Sequence, residues 1–160
     1  MITREEFTIT VSYIHDAARR GAKYSFNGRN WLNHGEFAEA LLSYQLMGTL
    51  EKDANTSFCD GSDIELGETG ISVKSSKATL TSVKLEGLTV EEMLNDYFDR
   101  TASNLWAWVV VLDESFITYY MNAETFREFT MTFGSIQNGV IRYKTSSRKM
   151  LNWLEERAGE

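Results

Sequence analysis

Between residues 62 and 76 apolar and polar positions alternate along two short runs. Ile64 and Leu66 alternate with Asp63 and Glu65, and Ile71 and Val73 alternate with Ser72 and Lys74. A period of two is that of a strand with one buried face. Gly67 and Gly70 bracket the residues between the runs, so the pattern predicts a β-hairpin turning through residues 67–70. With that turn Leu66 faces Ile71, Glu65 faces Ser72, Ile64 faces Val73 and Asp63 faces Lys74. One face is apolar. The other gathers Asp63, Glu65, Ser72 and Lys74.

Elsewhere the period lengthens to that of helices. Thr3 and Glu6 form a capping-box pair ahead of Phe7, Val11, Ile14 and Ala18, which predicts an N-terminal helix ending near Gly21. A connecting segment follows over residues 22–33. Phe37, Leu41 and Tyr44 repeat at helical spacing from Gly35 to Met47, with Gly48 as a stop. After the hairpin, Thr79 to Lys84 either extends the sheet or leads out of it. Thr89 and Glu92 cap a helix through Met93, Leu94 and Tyr97 to about Phe98. Trp106 to Leu112 is almost wholly apolar, as a central strand is, and Phe116 to Met121 returns as another. Asn122 caps a helix containing Phe126 and Phe129, and Ser146 or Ser147 caps a last one with Met150, Leu151 and Leu154 inward. The order is α, α, β-hairpin, α, β, β, α, α, with no repeat or internal linker. This is an α/β arrangement forming one domain over residues 1–160.

Composition narrows the class. At 42% hydrophobic and 12% aromatic, the 160 residues can bury a core and are not the composition of a disordered chain. No apolar run reaches membrane-spanning length, and residues 1–6 do not read as a signal peptide. The lone cysteine, Cys59, has no internal disulfide partner, so the expected compartment is the cytoplasm. His15 and His34 lie far from it and from each other, without metal-ligand spacing. The net charge of −7 argues against a protein that coats nucleic acid nonspecifically. Yet residues 19–30 and 142–149 carry four cations each and no acid, while acids gather at 51–68 and 86–99. A basic rim around an acidic centre is compatible with that distribution.

Glu36 on an early helix, Asp63 on one strand and Ser72-Val73-Lys74 on the next together resemble the PD-(D/E)XK nuclease superfamily. The resemblance runs from about Gly35 to Met121 and rests on a short motif. It implies a restriction-endonuclease-like fold, a mixed central sheet flanked by helices, and magnesium-dependent cleavage of DNA. The pattern places an acid at the start of one hairpin strand and an acid-x-lysine on its partner. Here Ser72 stands where the pattern has an acid, and the predicted register offers Glu65 as its replacement. The implied site is therefore Asp63, Glu65, Lys74 and Glu36.

Magnesium, or manganese in its place, favours oxygen ligands. Asp63, Glu65, the Val73 carbonyl and Glu36 would supply them, and Lys74 would orient or deprotonate the attacking water. A nuclease-like domain that binds DNA or protein without cutting is the alternative that Ser72 favours. An acidic interaction protein unrelated to nucleases is the one that the charge favours. In that case Asp63 and Lys74 form a plain cross-strand ion pair worth ~0.2–1 kcal/mol. Cutting both strands of a duplex further implies a homodimer, with the aromatic-rich segment Phe116 to Phe133 as the expected interface.

Overall fold

The structure, a computed structural model, describes residues 1–10, 12, 38–39, 41–42, 45–46, 49–50, 63–66, 68–75, 79–80, 89–112, 114–143 and 148–159. Its centre is an almost wholly apolar strand, β6 (Leu105–Val111). On one side β6 pairs in parallel with β4 (Thr69–Ser75), and on the other antiparallel with β7 (Ser115–Met121). Parallel neighbours need a long crossover. Here it includes β5 (Thr79–Leu80) and helix α1 (Val90–Arg100). With β1 (Ile2–Thr8), β2 (Thr49–Leu50) and β3 (Ile64–Leu66), the sheet is mixed and six-stranded, in the order β1-β7-β6-β4-β3-β2.

Both faces of this sheet are covered. Trp106 and Trp108 point to the face covered by α1, by α2 (Ala123–Phe133) and by α3 (Arg148–Arg157). Phe126 stacks on Trp106 with ring centroids 5.2 Å apart, and the Trp106 Nε1–H donates to the buried Tyr97 hydroxyl at 2.9 Å. Such pairing satisfies the indole while burying its large apolar ring. Ala107 and Val109 point the other way. They join Ile64, Ile71, Val73 and Phe116 under the early helix, whose Ala38, Leu41 and Leu42 are fully buried. That helix is described at residues 38–39, 41–42 and 45–46.

The helix starts follow the sequence signals. The Glu92 N–H donates to Thr89 Oγ1 at 3.2 Å, and the Thr89 N–H donates to Glu92 Oε1 at 3.0 Å. At α2 the Thr125 N–H donates to Asn122 Oδ1 at 2.8 Å. Each bond satisfies a backbone group that the helix itself leaves unpaired. At the last helix Met150 and Leu154 are buried as expected, whereas Leu151 is 38% exposed. The capping positions proposed for it, Ser146 and Ser147, lie outside the described residues.

Two expectations about the order of elements fail. Residues 2–8 are a strand and pair with β7 over seven positions, so the expected helix does not start at Thr3; its later part, from Val11 to Gly21, lies outside the described residues apart from Ser12. Long-range pairing outweighs the local capping signal. Without β1, the apolar β7 would present an unpaired edge. Glu6, expected to cap a helix, instead meets Arg4 at 2.9 Å, and Arg4 also reaches Glu155 on α3 at 2.9 Å. The second failure is a hairpin that the predicted order omits. Strands β8 (Gly134–Gln137) and β9 (Val140–Tyr143) pair antiparallel around Asn138-Gly139, and β9 also pairs with β5 in a separate three-stranded sheet. Asn138 and Gly139 have φ of 52° and 76°, the left-handed conformations that a two-residue turn of this kind requires.

The aromatic segment proposed as an interface is spent inside the molecule. Phe116, Tyr119, Phe126 and Phe129 are buried, and the large apolar residue exposed there is Met131. No helix among the described residues is long and apolar enough to cross a membrane.

Candidate functional site

β4 supplies the middle of the candidate site because it lies inside the sheet, between β3 and β6. Its residues Ile71 to Ser75 are all buried. Ile71 and Val73 enter the apolar cluster under the early helix. Ser72 and Lys74 alternate with them and stand level with Trp106 and Trp108 of β6. A lysine only 7% exposed is uncommon without an anionic partner.

The partner is Asp63. Its backbone N–H donates to the Ile71 carbonyl at 3.0 Å, extending the β3–β4 ladder by one bond. Its side chain then turns back on β4, where Oδ2 accepts the Val73 N–H at 2.7 Å. A carboxylate here takes a backbone donor that a strand carbonyl would otherwise take. The Lys74 charge acts on the same carboxylate and favours its ionised form. So does a hydrogen bond from the Glu39 side chain. Burial opposes all three and prevails, so the Asp63 carboxyl titrates above its ordinary range. A hydrogen bond between two carboxyl groups needs a proton on one of them, because ionised carboxylates only accept. Such a pair offers oxygen ligands to a hard cation that displaces the proton.

The expected residues are therefore brought together only in part. Asp63, Val73 and Lys74 converge. Glu36 lies outside the described residues. Glu65 does not face Ser72. The observed register pairs Ile64 with Ile71, Glu65 with Gly70 and Leu66 with Thr69, a shift of two positions from the predicted pairing. The loop is two residues long rather than four, which suits the twist of adjoining strands. Asn104, just before β6, holds it in place. Its Oδ1 accepts the Gly70 N–H at 3.1 Å, its backbone N–H donates to the Gly70 carbonyl at 2.9 Å, and its Nδ2 donates to the Glu68 carbonyl at 3.3 Å. A shift of two keeps every side chain on its predicted face. It does move Glu65 one step along the ladder from Ser72, where it is exposed.

Glu39 is an acid that the motif did not single out. Its signal was the phase of the helix. Ala38, Leu41 and Leu42 are buried on the sheet, and Glu39 sits at the margin of that stripe, half-buried beside the start of β3. Among the described residues no three of His, Cys, Asp and Glu lie together. The Glu39–Asp63 pair thus stands with the Ser72 position contributing no carboxylate. The chain matches no protein-family model, no curated protein and no solved structure.

Proposed function

We propose that this protein is a metal-dependent DNA endonuclease of the restriction-endonuclease-like kind, with its centre at Asp63, Lys74 and Glu39. One observation carries the reading. A carboxylate at the start of one hairpin strand is acted on both by a buried lysine of the partner strand and by a second carboxyl from the preceding helix. The mixed sheet flanked by helices is compatible with that fold. Asp63 and Glu39 would hold magnesium or manganese, with the Val73 carbonyl as a neutral third ligand. When bound, such an ion holds a phosphate oxygen, lowers the pKa of an attacking water and offsets charge on the leaving oxygen. Lys74 orients that water or steadies the charge that builds on the phosphoryl oxygens. The Val73 N–H keeps Asp63 from rotating away, so the ligand is in place before the ion arrives.

Ser72 supports a second reading, a nuclease-like domain that binds DNA or a protein without cutting. The strand position that carries an acid in the resembled pattern has a hydroxyl here, a weaker ligand for a hard cation. Calorimetry with magnesium and manganese on wild type and Asp63→Ala, together with cleavage of linear, supercoiled, single-stranded and branched DNA, separates the two. Cleavage by wild type with either metal, lost in Asp63→Ala and in Lys74→Ala, supports the nuclease. Metal binding without cleavage of any of these substrates leaves the binding domain. No metal binding at all overturns both the centre and its chemistry.

A further inference from the structure

We draw no further inference here: the strongest candidate outside the site already described, the polar cluster between the early helix and strands β1 and β7 where the Gln45 Nε2–H donates to Glu5 Oε2 at 3.3 Å and the buried Thr118 Oγ1 and Gln45 Oε1 have no hydrogen-bond partner, carries none because nothing in the structure shows what occupies it.

Discussion

Asp63 holds two opposed roles that a single substitution separates. Its folded-state pKa lies above the ordinary 3.8, chiefly through burial. A group shifted in this direction contributes stability that is fully present below its unfolded pKa and lost as pH rises through the folded one. The metal-free fold therefore draws less stability from this group at neutral pH than at low pH, even with Lys74 beside it. Asp63→Asn keeps an acceptor for the Val73 N–H and removes the buried charge. We expect the variant to match or exceed wild type in denaturant stability at pH 7 without metal. Its advantage should grow as pH rises from 4 and then level off. The same variant should lose the stabilisation that added magnesium or manganese gives wild type. A variant less stable than wild type at every pH would show that pairing with Lys74 outweighs burial. Glu39 and Glu65 make the complementary test. Glu39→Gln should weaken metal binding by at least about tenfold, a loss seen even for groups that only support a ligand. Glu65→Gln, at an exposed position, should stay within ~0.5 kcal/mol in stability and leave metal affinity unchanged. Ser72→Glu should raise that affinity, since continuing the β3–β4 register sets position 72 level with Asp63. The reverse order of the two glutamates in calorimetry would restore Glu65 to the site.

Among the elements, a tight packing constraint lies at the junction of α2 and β8. A Cβ built on Gly134 would meet the Thr130 carbonyl oxygen at 2.6 Å and Ile141 Cγ2 at 2.8 Å. The first contact is backbone and cannot move aside. Gly134→Ala should therefore destabilise by ~1–3 kcal/mol, the range for overpacking a tight contact. Thermal melts of the two proteins check this, and an unchanged midpoint would mean that the junction relaxes freely. This junction was also among the hardest places to read. The helices at 90–100 and 123–133 and the strands at 105–111 and 115–121 were legible because period, caps and turn residues agreed within each segment. β1 was not. Only Ile2 is buried in it and Phe7 half-buried, and what makes it a strand is β7, more than a hundred residues away. The β8–β9 hairpin did have its signal in Asn138-Gly139, but the run after Phe133 lacks the apolar density of the strands before it. The polar face of the β3–β4 hairpin was legible, and its register was not. Two glycines bracket the turn, and the choice between a two- and a four-residue loop is made by Asn104 from outside the hairpin. The same holds for Glu39. Helical spacing marks the apolar stripe, while the reach of an acid beside it depends on where the helix sits on the sheet.

At the scale of the whole molecule, a net charge of −7 sets the proposed centre a condition. DNA binding draws most of its strength from neutralised phosphates, so an acidic protein with two carboxyl groups at its centre repels the backbone unless a cation intervenes. The proposed nuclease should therefore bind DNA in a metal-dependent way, beyond what metal does for catalysis. Lys74→Ala should be unable to cut, which permits binding to be measured without loss of the substrate. Fluorescence anisotropy with a labelled duplex should show the affinity of this variant rising on addition of magnesium. Asp63→Asn should respond much less, and its metal-free affinity should exceed that of wild type because one negative charge is gone. Sedimentation of the same mixtures tests for the homodimer that cutting both strands implies. The buried rings of the aromatic segment leave Met131 as the large exposed apolar side chain there, so little of that segment is offered to a second copy. A duplex bound equally with and without metal, by wild type and Asp63→Asn alike, would place the nucleic-acid surface away from Asp63. It would leave the carboxyl pair as a structural feature of the hairpin.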